Sequence, residues 1–143
     1  MRVIFDTNVV ISGLIWSGTP GKVLQVASDG VVQAVASETL VDELRAVLQR
    51  PKFEKYLSRC RATHESLVLH YLSFAQIIEP IALPSDTVRD VKDVMVLEVA
   101  IGGAANAIVT GDDDLLTLKM YDKIEILTVT DFLDRVDSEE PRE

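Results

Sequence analysis

The chain has 143 residues, 48% of them hydrophobic and 26% charged, the size and balance of one globular domain that folds without disulfides or a structural metal. Its net charge of −9 argues against nucleic-acid binding through a broad basic face, but not against phosphate binding through bound cations, which invert the local charge, or docking of a basic partner segment. The apolar runs are too short for a bilayer, Asp6 follows Arg2 too closely for a secretory signal, and a single cysteine, Cys60, suits a reducing compartment, so a cytoplasmic protein with no membrane partner is expected.

Arg2-Val3-Ile4-Phe5 is an apolar, β-branched run that stops at Asp6 and reads as a buried strand. Thr19-Pro20 predicts a helix start, cap then first turn, running to Ser28 before Asp29-Gly30. Val31 to Val35 is a second apolar run. Ser37 opens a helix in which Leu40, Val41, Leu44, Val47 and Leu48 recur at helical spacing, until Pro51 interrupts it. A short helix around Phe53 to Leu57 and a longer one from Thr63 to Ala75 follow, with Cys60 an ordinary helix residue and His64 and His70 at no recognised metal-ligand spacing. Ile77-Ile78 is a short strand candidate, and Pro80 and Pro84 mark a loop. Val94 to Ala104 predicts a mostly buried helix ending near Gly102-Gly103. Ala107-Ile108-Val109 is a strand leading to Thr110-Gly111-Asp112, Asp114 to Leu118 a short helix, Ile124 to Val129 a last strand and Asp131 to Val136 a last helical turn or two. Residues 1–136 form the domain and 137–143 a loose polar tail. Strands alternating with helices predict a three-layer α/β fold around a parallel sheet.

Ligands of such sheets bind beyond the carboxyl ends of the strands. Two predicted strands end at acids there, Asp6 and Asp112, and Glu43 and Asp93 can reach the same rim from helices. Clustered carboxylates do not all stay ionised without counter-charge. Mg²⁺ or Mn²⁺ would supply it, and oxygen ligands together with substrate phosphates are the usual Mg²⁺ setting. Phosphodiester hydrolysis is then the natural chemistry. Each acid also has a plain structural reading. An aspartate after a strand is often a turn residue or cap, Asp93 favours the dipole of the helix it heads, and Glu43 is a solvated helix residue like Glu38 and Asp42. Thr7 and Asn8 either hold the Asp6 carboxylate or cap the backbone locally. No Walker-type glycine loop is present, and nothing supports a serine nucleophile.

Taken together, Val3-Ile4-Phe5-Asp6-Thr7-Asn8-Val9, Ser37 to Leu44 with Glu43 at the acidic position, Asp93 heading an apolar helix, and Ile108-Val109-Thr110-Gly111-Asp112-Asp113-Asp114-Leu115-Leu116 resemble the four motifs of PIN-domain ribonucleases in order. Val47-Leu48-Gln49-Arg50-Pro51-Lys52-Phe53 is similar to a VapC-like subgroup grouped with toxins of toxin–antitoxin pairs. The resemblance runs from Met1 to about Leu133. It implies an α/β/α PIN-like fold and Mg²⁺- or Mn²⁺-dependent RNA cleavage, with an antitoxin protein and a homodimer among the partners. It carries catalytic roles to Asp6, Glu43, Asp93 and Asp112, metal binding to Asp6, Asp93, Asp112 and Asp114, and supporting polar roles to Asn8 and Thr110. The subgroup often has an Asp-Pro pair and a denser acid run before the third motif. Here the run is Val88-Arg89-Asp90-Val91-Lys92-Asp93, which sets Asp90 farther from the metal, lowers the expected cation affinity and leaves Lys92 to contact a substrate phosphate. A nuclease of ordinary RNA processing without an antitoxin, and an inactive PIN-like binding module, are the alternatives.

Overall fold

The structure, a computed structural model, describes residues 1–84 and 86–139. The chain alternates strands and helices: β1 (Arg2–Phe5), α1 (Thr7–Ile15), α2 (Thr19–Ser28), β2 (Gln33–Ala36) and α3 (Glu38–Leu48). A 3-10 turn at Pro51–Phe53 leads into α4 (Glu54–Arg59), α5 (His64–Leu72) and β3 (Ala75–Ile77), and a long loop then reaches α6 (Val91–Gly102). The chain closes with β4 (Ala107–Val109), α7 (Asp113–Leu118), β5 (Met120–Tyr121), β6 (Ile124–Leu127) and α8 (Val129–Glu139).

Among the described residues six strands form one sheet, in the order β3-β2-β1-β4-β6-β5. All pairings are parallel except that of β5 with β6. Because successive side chains of a strand point to opposite faces, β1 feeds two cores at once. Val3 and Phe5 pack with α1, α2, α3, α5 and α8, while Ile4 packs with α6 and α7 on the other side. Ile108 and Val109 divide in the same way. The result is three layers, helices on both faces of a mostly parallel sheet, as the alternation of elements predicts. No helix of the described residues is long and apolar enough to cross a membrane.

The connections out of β1 and β4 matter most for function. The chain leaves β1 toward β2 and β3 on one side, then crosses back through α6 to lay β4 against the opposite edge of β1. Phe5 pairs with Val109, so the residues that follow the two strands emerge side by side at the point where strand order reverses, where ligands of open α/β sheets bind.

Several local features depart from the sequence expectation. α1 occupies Thr7–Ile15, a stretch with no predicted element. Its sequence is rich in β-branched residues and holds Gly13, which lowers helix propensity. Burial of Val9, Val10 and Ile11 overrides that preference. Gly13 is there because α2 comes close: a Cβ would lie 2.6 Å from Leu24 Cγ. α2 begins one position earlier than expected, with Gly18 at the cap (φ 81°) and no side-chain bond there, and Thr19 already in the helix. α5 stops at Leu72, and Ala75 opens β3. Cys60 is the exposed C-cap of α4. α6 starts at Val91 with Asp90 as its cap, so Asp93 lies inside the first turn. β5 and the turn at Asp122–Lys123, both with positive φ, carry none of the Asn-Gly signal that announces a hairpin of this hand. α8 continues to Glu139, so residues 137–139 of the expected loose tail are helical, and residues 140–143 lie outside the described residues.

Candidate functional site

Asp6 is the first residue past β1. Its N–H donates to the Val109 carbonyl across the sheet at 3.0 Å, and its own carbonyl accepts from Val9 and Val10 at the start of α1. Its carboxylate is therefore held at a strand end and a helix start at once. Oδ1 accepts the Thr7 N–H at 2.8 Å and Oδ2 accepts the Thr110 hydroxyl at 2.8 Å. Burial, with the charges of Glu43 and Asp112 adding to it, raises the Asp6 pKa above the ordinary carboxylate value, against the pull of the Thr110 and Thr7 hydrogen bonds.

Thr110, fully buried, joins the two motifs. Its hydroxyl gives its proton to Asp6 and accepts the Asp112 N–H at 3.0 Å, so one side chain fixes the spacing of the two strand-end acids. Asp112 caps α7, accepting the N–H groups of Asp114 (2.8 Å) and Leu115 (3.4 Å) on one carboxylate oxygen. The capping role and a site role are compatible for this residue, because a carboxylate has a second oxygen to offer. Asp114 itself is exposed.

Glu43 reaches the rim from the middle of α3. The buried Thr7 donates its hydroxyl to Glu43 Oε2 at 3.0 Å, so Thr7 touches Asp6 through its backbone and Glu43 through its side chain. Lys92 Nζ lies 3.8 Å from Glu43 Oε1 with its side chain mostly exposed. The neighbours Glu38 and Asp42 are exposed, and Asp42 pairs with Arg45.

Asp93 differs from the others. It is 4% exposed, and its Oδ2 is a buried oxygen with no hydrogen-bond partner among the described residues. A buried acceptor left unpaired costs about 1–3 kcal/mol, and more when charged. Burial, followed by the charges of Asp112, Asp90, Asp6 and Asp114, pushes its pKa up to about 6. One carboxylate oxygen each of Asp90, Asp93 and Asp112 lies within 4.8 Å of the others. This corrects the expectation for Asp90, which sits in the cluster rather than away from it. Asp90 is the N-cap of α6, its side chain accepting the Lys92 N–H at 2.9 Å, and Asp93 is the third helical residue. Cap and third residue lie together across the first turn, the relation that makes capping boxes possible. The three-residue spacing from Asp90 to Asp93 carries that signal in the sequence.

The structure thus brings Asp6, Glu43, Asp93 and Asp112 to one rim, with Asp90 and Asp114 beside them and Thr7 and Thr110 holding the carboxylates. Asn8 is exposed on the first turn of α1, at the edge of a neighbouring cleft. A hard divalent cation fits this donor set. It prefers oxygen ligands, it relieves mutual repulsion of the acids, and it gives the orphaned Asp93 oxygen a partner.

The chain is similar to known proteins in sequence and in fold. The PIN domain family model matches residues 2–114. An uncharacterised protein of Methanocaldococcus jannaschii is 32% identical over 127 residues, covering 86% of this chain and 78% of its own length. Among solved structures, a chain from VapBC2 of Rickettsia felis, determined bound to a DNA fragment from their promoter, is similar over 90% of this chain and 98% of its own, with a TM-score of 0.59 and 15% identity.

Proposed function

Since this chain belongs to the PIN domain family, we propose that it is a metal-dependent ribonuclease whose reaction centre is the acidic rim. The observation that carries this reading is the buried, unpartnered Asp93 Oδ2 within a cluster of carboxylates at the β1/β4 switch point. Asp93, Asp112 and Asp6 would hold Mg²⁺ or Mn²⁺ together with Asp90, whose carboxylate oxygen lies in the same cluster, and Asp114 would add charge at the edge. Such a cation, when bound, withdraws charge from the phosphate and makes an attacking water more acidic. The protein's own groups do the rest. Thr110 and the Thr7 N–H fix both oxygens of Asp6, so its carboxylate does not turn during the reaction. Glu43, oriented by the Thr7 hydroxyl, is the acid placed to accept a proton from water. Lys92, at the exposed edge beside Glu43, is placed to meet a non-bridging phosphate oxygen.

The PIN family and the fold shared with a VapBC2 chain support the further reading that the enzyme is the toxin of a toxin–antitoxin pair, acting in the cytoplasm as a homodimer and held in check by an antitoxin protein. The net charge of −9 suits a basic antitoxin segment laid over the acids. The test is cleavage of a labelled single-stranded RNA in Mg²⁺ and in EDTA, with co-expression of the product of an adjacent small gene as the antitoxin arm. The proposal expects cleavage in Mg²⁺ alone and its suppression by that product. Equal cleavage in EDTA would remove the metal from the reaction.

A further inference from the structure

Beside the acids, on the α1/α2 side of the sheet end, lies a cleft of about 560 Å³, within the range of roughly 300–1,000 Å³ typical of small-molecule pockets. It is continuous with the rim. Thr110 and Gly111, the two residues between β4 and Asp112, line it, as does Asn8, two residues after Asp6. Its chemistry is opposite to that of the rim. Every described residue that lines it is uncharged, although charged residues make up 26% of the chain. Val9 and Val23 are buried beneath it, Leu116 comes from α7, and Ser12 and Thr130 bring hydroxyls.

A strand whose scissile phosphate lies on the acids has a sugar and base within one nucleotide of that phosphate. The acidic rim accepts the phosphate only through cations, and the cleft next to it presents apolar walls and hydroxyls but no described cationic side chain to draw in a second phosphate. It suits a flat, neutral, partly apolar group whose edge bears donors and acceptors. From this placement we infer that the cleft is a nucleobase subsite, receiving the base of a nucleotide that flanks the cleaved bond. The inference rests on the ribonuclease reading and deepens it: the enzyme grips its substrate on one side by phosphate and metal and on the other by a base taken out of the stack. Single-stranded RNA, whose bases splay freely, meets that demand without the cost of opening a duplex.

The experiment uses a single-stranded RNA that the wild-type protein cleaves at one bond, made with an abasic ribonucleotide on each side of that bond in turn. The wild type is expected to lose about tenfold or more in kcat/KM on one of the two abasic strands, the order expected for losing one base contact. Ser12→Phe, which fills the cleft from α1, and Thr130→Trp, which covers it from α8, are expected to lose a similar factor on intact RNA and nothing further on the sensitive abasic strand. Mn²⁺ affinity by calorimetry should stay at the wild-type value in both. Indifference of the wild type to base removal would overturn the assignment, as it would if a free nucleotide rather than the substrate's base filled the cleft. Wild-type cleavage of intact RNA by both variants would also overturn it, and if those variants instead lost a protein partner, the cleft would be a protein-docking surface. Absence of any Mg²⁺-dependent cleavage by the wild type is a different result. It would defeat the ribonuclease reading itself and the subsite with it.

Discussion

Replacing Asp93 with asparagine separates the electrostatic cost of the site from its packing. In the protein without metal, the Asp93 carboxyl has a pKa near 6 against an ordinary 3.8, because it is buried among other acids. A raised folded-state pKa means that the folded protein binds the proton more tightly than the unfolded chain. The stability it contributes is complete below about pH 4 and is lost as pH rises through about 6. Taking those two values, the folded state should lose roughly 1.5 kcal/mol at this residue between about pH 5 and about pH 7.5. Asp93→Asn keeps the shape but does not titrate. Its amide can also lack a partner, at a cost of about 1–3 kcal/mol, but that cost does not change with pH. Urea unfolding in EDTA at the two pH values should therefore show the wild type falling relative to the variant by roughly 1.5 kcal/mol on going to the higher pH. Added Mg²⁺ should then stabilise the wild type by mass action and the variant much less. A wild-type–variant difference that is the same at both pH values, with an unchanged Mg²⁺ response, would show that Asp93 serves only the first turn of α6.

Asp6→Asn should leave the circular dichroism spectrum intact and lower RNA cleavage by at least about 100-fold in a fluorescence assay, as expected for loss of a carboxylate that binds the metal. Thr110→Val removes the hydroxyl that holds Asp6 Oδ2 and the Asp112 N–H. It should cost about 1–3 kcal/mol in urea unfolding and lower Mn²⁺ affinity in calorimetry roughly 10–100-fold. Gly13→Ala sets a methyl 2.6 Å from Leu24 Cγ and should destabilise by about 1–3 kcal/mol, with Mn²⁺ affinity unchanged because the crowding lies between α1 and α2.

The parts of the fold that were legible in the sequence are those where local signal and tertiary packing agree. β1 and β4 are short apolar runs buried on both faces, and each ends where the residues turn polar, so their bounds and the acids beyond them could be read directly. The α3 start was legible because Ser37 accepts the Leu40 N–H, as a cap should. α1 was not legible, since Thr7 to Ile15 has the composition of a strand and is helical only because the Asp6 cap and the packing of α2 impose it. The β5–β6 hairpin was hidden because Asp122 and Lys123 take positive φ without the glycine that usually marks it. At the site, the sequence could suggest Asp6 and Asp112 as neighbours at the strand ends, but it could not show that a single buried threonine would hold the two in register. Nor could it show the uncharged cleft, whose lining comes from separated parts of the chain, α1, α2, the β4–α7 turn and the start of α8.

Anomalous diffraction from crystals soaked in MnCl₂ tests most directly whether the acids at the β1/β4 rim hold a divalent cation. A manganese peak is expected among the carboxylates of Asp90, Asp93, Asp112 and Asp6, lost in Asp6→Asn crystals and displaced by excess Mg²⁺. A rim that stays empty at millimolar Mn²⁺, while manganese binds elsewhere on the surface, would contradict it.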